Sequence, residues 1–269
     1  MTRLQAFLME VHTALMLLAA GIIGGTISAL AGGASLVLFP AMLAAGVPPL
    51  MAVASNSTGM MPGTFLAAMA DRSQLPKLDR SFIVLLAVSL VAATGGAILL
   101  IVTPERVFEL LVPLLLGLGT VLVAYAQPIG TWLGQLSFGK SKTTLHPNAI
   151  GLVMMVPISI YAGYFGAGVS VLMLAALSVA NSGNYRSANV TKNLINSLSC
   201  LVAGIVFSIQ GIVAWVPALL IGTGGIAGSL AGAYVARILP VAVARIMVVA
   251  FGTLLTAVYG WRYWFAPAD

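Results

Sequence analysis

Charge is the scarcest property of this chain: 7% of its 269 residues are Asp, Glu, Lys or Arg, against 60% hydrophobic, and the mean hydropathy is +1.08. A soluble domain needs a charged surface, and outside the linker at 127–147 there is no room for one. Cysteine occurs once, at Cys200, which excludes an intrachain disulfide and any multi-cysteine metal site. Within an apolar segment it reads as packing. The two histidines, His12 and His146, sit at segment boundaries without acidic or cysteine neighbours at ligand spacing, so they read as interfacial, and no metal or other cofactor is expected. The acids Glu10, Asp71, Asp79, Glu105, Glu109 and Asp269 all fall in loops, at the termini or within about a turn of a helix end. A cation carrier needs a deep carboxylate to replace lost hydration, so cation transport is disfavoured. An embedded enzyme needs a nucleophile–base or metal cluster, and no such grouping is visible. The net charge of +6 comes from basic residues spread thinly over loops, which speaks for orientation in a membrane and not for nucleic acid.

What remains is apolar sequence. Ten segments, at 13–31, 34–47, 51–70, 81–102, 107–126, 148–165, 168–181, 187–208, 212–236 and 241–264, are separated by short polar breaks. The first continues into Gly32 without a convincing cleavage site and reads as a retained helix. The chain is therefore expected to be one all-α polytopic membrane domain, with halves at 13–126 and 148–264 and a linker at 127–147. Segments two and seven are too short to span as ordinary helices and follow the glycine-rich breaks "LAGGAS" (30–35) and "FGAGVS" (165–170), so they read as broken or re-entrant elements.

Laying residue i over i+136 pairs Gly32 with Gly168, Leu36 with Leu172, Ala52 with Ala188, Gly96 with Gly232 and Pro104 with Pro240. Charge bias flips between the halves: "DRSQLPKLDR" (71–80) is basic, while its counterpart "FSIQGIVAWV" (207–216) carries no charge. With the N-terminus outside and ten spans, nine basic residues lie inside and three outside. An odd number of spans per half inverts the second half, so two inverted five-segment repeats are expected, an architecture found in many secondary transporters.

The polar exceptions locate a candidate site. In "SANVTKNLINSL" (187–198), Asn189, Lys192, Asn193 and Asn196, followed by Ser199, recur at steps of three and four and share one helical face, which lipid cannot satisfy. The competing reading has Lys192 snorkelling to inner headgroups while the asparagines join helices. The partner stretch "VASNSTGMMPG" (53–63) offers Ser55 and Asn56. Helices starting at the breaks present free N–H groups to an anion, which brings in Gly32, Gly33 and Ser35 with Gly166, Gly168 and Ser170. The stripes Gly59/Gly63 and Gly224/Gly228 suit close approach of another helix, either in this chain or in a partner of a homo-oligomer. "GTGGIAGSLAG" (222–232) lacks the lysine of a phosphate loop, so nucleotide binding is not expected.

In the order of a glycine-rich break, a short apolar segment and an alanine followed by small polar residues, "GGTISALAGGASLVLFPAMLAAGVPPLMAVASNS" and "YAGYFGAGVSVLML…YRSANVTKNLINS" resemble the two halves of the sulfite exporter TauE/SafE family. The resemblance covers nearly the whole chain. It implies a multi-pass plasma-membrane protein that exports a small sulfur-containing or organic anion such as sulfite or sulfoacetate; the two inverted halves would move it by alternating access, and no enzyme is expected. An anion channel and a non-transporting structural subunit are the competing readings. Expected partners are the anion and the bilayer.

Overall fold

The computed structural model describes residues 3–30, 33–76, 78–126, 128, 147–180, 185–235 and 241–265. These residues form ten α-helices and no strand: α1 (Arg3–Leu30), α2 (Ser35–Ala44), α3 (Pro49–Ala70), α4 (Arg80–Val102), α5 (Glu105–Ala124), α6 (Pro147–Tyr164), α7 (Val169–Ala180), α8 (Tyr185–Ile209), α9 (Trp215–Val235) and α10 (Val241–Gly260). Each falls on one of the ten apolar segments. A 3₁₀ turn (Arg72–Gln74) precedes α4, and a π turn (Trp261–Phe265) extends α10. Gly32 and nearly all of the 127–147 linker lie outside the described residues.

Among the described residues six helices are long and apolar enough to cross a bilayer, within α1, α4, α5, α8, α9 and α10 with its π turn. That refines the expectation of about ten spans. Helices α2 and α7 have 10 and 12 residues, about 15 and 18 Å of helix, half of what a bilayer core requires. Helix α3 has the length, at 22 residues, but Ser55, Asn56, Ser57 and Thr58 break its apolar run, and all of that stretch except Thr58 is buried. Exposed side chains form apolar stripes instead of a charged shell: Ile83, Val91, Ile98 and Val102 on α4, and Ile246, Leu254 and Val258 on α10. Such stripes face lipid.

In lipid the association of helices rests on packing, and glycine sets how close they come. Helix α1 lies along α9, and α4 along α6. A Cβ on Gly228 would overlap the carbonyl of Ile22, and one on Gly21 would come within 2.6 Å of the Ile221 carbonyl. In the second pair, Gly96 meets the Ile160 carbonyl and Gly163 the Ala93 carbonyl just as closely. Gly59 and Gly63 face α9, and Gly224 and Gly228 face α1, so both stripes pack within the chain. Helix α3 packs on α8 and α9, α4 on α8, and α5 on α10. Helix ends follow local chemistry: Asp79 accepts a hydrogen bond from Phe82 N–H at 2.8 Å and caps α4. Beyond α10, exposed Trp261 and Trp264 with Arg262 nearby have the character of an interfacial belt, and Trp264 Nε1 donates to the Leu110 carbonyl at 3.1 Å.

Candidate functional site

The two glycine breaks end at one place. Gly33 at the first break has φ +90°, and Gly166 and Gly168 at the second both have φ +73°, a backbone that an L side chain adopts only with strain. The chain can therefore reverse between α1 and α2, and between α6 and α7, within a few residues. Asn56 Nδ2 donates to Ser35 Oγ at 3.0 Å, tying the first turn of α2 to the eighth residue of α3. At about 1.5 Å per residue, the start of α2 lies roughly 10 Å in from the start of α3. Tyr161 donates its hydroxyl to the Ala167 carbonyl at 2.7 Å and fixes the second break.

Between the breaks is a cavity of about 50 Å³. One water needs about 10–15 Å³, so the space admits a few waters or a small oxyanion. Its wall takes Gly33 and Ser35 from the first break and Phe165, Gly166 and Ser170 from the second. Helix α3 adds Asn56, Ser57, Met60 and Thr64, and α8 adds Asn196 and Cys200. Among the described residues no charged side chain lines it. Its positive character comes from the backbone. Neither Ser35 N–H nor Ser170 N–H has a hydrogen-bond partner among the described residues. Each helix N-terminus carries up to about half a positive charge, so two facing one cavity approach a full unit. Ser170 and Asn196 make no side-chain hydrogen bond among the described residues, and Ser35, whose oxygen accepts from Asn56, keeps its proton for another partner.

Asn56 is 4% exposed, and its Oδ1 has no partner. An amide can be turned end for end with little steric change. Turned, Asn56 accepts from the Ser35 hydroxyl and offers its –NH₂ group to the cavity. In that orientation the Asn56 –NH₂ group can donate to an anion alongside Ser170 and Asn196, while the Ser35 proton is held by Asn56 and the Thr64 hydroxyl donates to the Met60 and Met61 carbonyls.

Six of the twelve expected site residues line this cavity: Gly33, Ser35, Asn56, Gly166, Ser170 and Asn196. Ser55 is buried but committed elsewhere, its Oγ accepting from Ala214 N–H at 2.8 Å where α9 begins. Gly168 packs against Gly119 of α5. Asn189 and Asn193 are half-buried nearer the start of α8, on the stripe that continues to Asn196. Lys192 is 5% exposed and makes no ion pair among the described residues. It is not a cavity residue, yet it lies one turn from Asn196, about 6 Å along the helix. Gly32 falls outside the described residues. Sequence reading missed Ser28, Ser57, Thr64 and Cys200. Cys200 could have been found, because it extends the spacing Asn189, Asn193, Asn196 by a further four residues.

The model of one protein family, described as sulfite exporter TauE/SafE, matches residues 17–259, from α1 through the end of α10. The chain belongs to the sulfite exporter TauE/SafE family. Among curated relatives, a probable membrane transporter protein, ORF9, of a Sinorhizobium species is 29% identical over 225 residues, covering 82% of each chain. A probable membrane transporter protein of Haemophilus influenzae is 27% identical over 244 residues, covering 90% of this chain and 92% of its own. No solved structure matches the chain. As a TauE/SafE protein, with its apolar helices, it is a multi-pass membrane transporter. Among the described residues no group of three His, Cys, Asp or Glu side chains could hold a metal ion.

Proposed function

We propose that this TauE/SafE protein exports a small anion across the plasma membrane, most simply a sulfur oxyanion or organosulfonate such as sulfite or sulfoacetate, and that the anion rests between the two glycine breaks. The observation that carries this is the cavity itself: two helix starts, each with one N–H (Ser35 and Ser170) unpaired among the described residues, and a set of neutral polar groups meet at about 50 Å³ with no carboxylate among the described lining residues. A cation would find no counter-charge there. Neutral donors and partial backbone charges also let the anion leave, since no single contact dominates.

The transport reading rests on two inverted repeats, with α1–α5 corresponding to α6–α10. Exchanging the halves carries the α1–α9 pairing onto α6–α4, and α3–α9 onto α8–α4, while α3–α8 and α5–α10 map onto themselves. Shifting the overlay to i+135 matches Ser35 with Ser170, and Gly33 with Gly168, both at positive φ. On this reading α1–α2 and α6–α7 are hairpins entering from opposite faces, tip to tip at the cavity. Rocking one half against the other exposes the site alternately to each side.

The test is flux from proteoliposomes loaded in turn with sulfite, sulfate, sulfoacetate, taurine and acetate. Saturable movement of one sulfur anion supports the proposal. Flux linear in concentration at channel rates would replace the carrier with a channel, and no flux for any anion would sink both.

A further inference from the structure

Cys200 is the single cysteine of the chain, and the structure sets its side chain in the wall of the central cavity beside Asn196, across from Asn56, Ser35 and Ser170. The cavity is independently marked as a ligand site by the Asn56 amide oxygen, buried and without a partner. A cysteine kept only for packing sits among apolar neighbours. Here the thiol shares a wall with seven hydroxyl or amide side chains.

We propose that Cys200 is part of the anion-binding surface: the thiol is reached by small water-borne electrophiles through the cavity, is covered when an anion is bound, and blocks transport once modified. The proposal rests on the reading of the cavity as the anion site. Its physical basis is volume. The cavity has room for a small oxyanion and little else, so a methylthio group added to Cys200 fills the space that the substrate needs. The thiol is also a weak S–H donor with a polarizable sulfur, a wall better matched to a sulfur anion than an aliphatic side chain would be.

The probe is methyl methanethiosulfonate. The Cys200 thiol gives its proton to water, the thiolate attacks the sulfenyl sulfur, the sulfur–sulfur bond of the reagent breaks, and methanesulfinate leaves, with a methyl disulfide on Cys200. The purified full chain carrying Ser73→Cys supplies an internal reference thiol, because Ser73 is exposed beside α4. Adducts at both thiols are read by peptide mass in one sample, so any reagent consumed by the anion slows both sites alike. The expected result is that saturating sulfite or sulfoacetate slows modification of Cys200 at least tenfold relative to the reference thiol. Modified protein then loses its flux, while whatever flux Cys200→Ser or Cys200→Ala retains is insensitive to the reagent. Equal slowing of both thiols by every anion tested, no adduct at Cys200, or full flux after complete modification overturns the proposal. If the unmodified protein moves no anion, the transport reading fails by itself, and protection read by mass still decides the place of Cys200.

Discussion

Lys192 gives the sharpest prediction, because its burial and its function pull in opposite directions. It is 5% exposed in α8 and has no carboxylate partner among the described residues. A buried charge without a counter-ion destabilises the fold, and replacing it with an apolar residue of similar length is often neutral or stabilising. Methionine fits that description. Lys192→Met is therefore expected to hold or raise the melting temperature of the detergent-solubilised protein. It should at the same time weaken anion binding. Lys192 is one turn from Asn196, and with the rise of the helix and its own stem the ammonium lies roughly 8 Å from an anion in the cavity. At an effective dielectric constant near 20, two unit charges at about 8 Å attract by about 2 kcal/mol. At 1.4 kcal/mol per decade this is about 30-fold in affinity. The assay is a concentration series of anion flux in proteoliposomes, paired with thermal unfolding with and without anion. Lys192→Met and Lys192→Gln should raise KM by about 30-fold with a smaller effect on maximal rate, and Lys192→Arg should retain most of the wild-type affinity. Anion at about 100 times Kd should stabilise the wild type by roughly 2.7 kcal/mol, and the Met variant far less at the same concentration. An unchanged KM in Lys192→Met, or an Arg variant as impaired as Gln, would refute the electrostatic reasoning and leave Lys192 without a part in anion binding.

Asn56→Asp is nearly isosteric and can still bond to Ser35 by accepting its hydroxyl proton. It places a carboxylate about 4 Å from the anion, where repulsion of about 4 kcal/mol at the same dielectric corresponds to roughly a thousandfold loss of binding, read by calorimetry on protein that remains folded. Gly96→Ala forces α4 away from α6, because its Cβ would overlap the Ile160 carbonyl. Overpacking of this kind costs about 1–3 kcal/mol and should lower the melting temperature, whereas Gly95→Ala on the same helix, with nothing within 4 Å, should leave it unchanged. Phe165, 2% exposed, lies edge-on to Phe39 at 5.2 Å and near Phe108 at 6.3 Å, closing one side of the cavity. Phe165→Ala should open that side, and a component of anion flux that rises linearly with concentration would register it in proteoliposome assays.

Much of the fold was legible because lipid imposes strict rules on a chain that spans it. Every apolar segment became a helix, and the two short ones became the shortest helices, since each begins after a glycine-rich break and has too few residues to cross. The number of spans was less legible. Ser55, Asn56, Ser57 and Thr58 lower the hydropathy of α3 while packing it in the interior, and composition cannot separate a helix shielded by protein from one bathed in lipid. At the site, the breaks and their serines were visible from the need for free N–H groups at helix starts. The division of labour along α8 was not. Lys192 and Asn196 share a stripe in sequence, yet only Asn196 reaches the cavity, because the stripe is wider than the opening and the packing of α6 and α7 decides which edge is covered. Cys200 was passed over because an apolar setting in sequence does not reveal a polar neighbour from another helix.

The claim that one anion rests between the two breaks is tested most directly by equilibrium binding of sulfite or sulfoacetate to the purified protein, comparing wild type with Ser35→Ala and Ser170→Ala. The account predicts one anion per chain and a similar loss of affinity, severalfold or more, in both variants, because each break supplies one half of the same site. Two anions per chain, or a loss confined to one of the two variants, would contradict it.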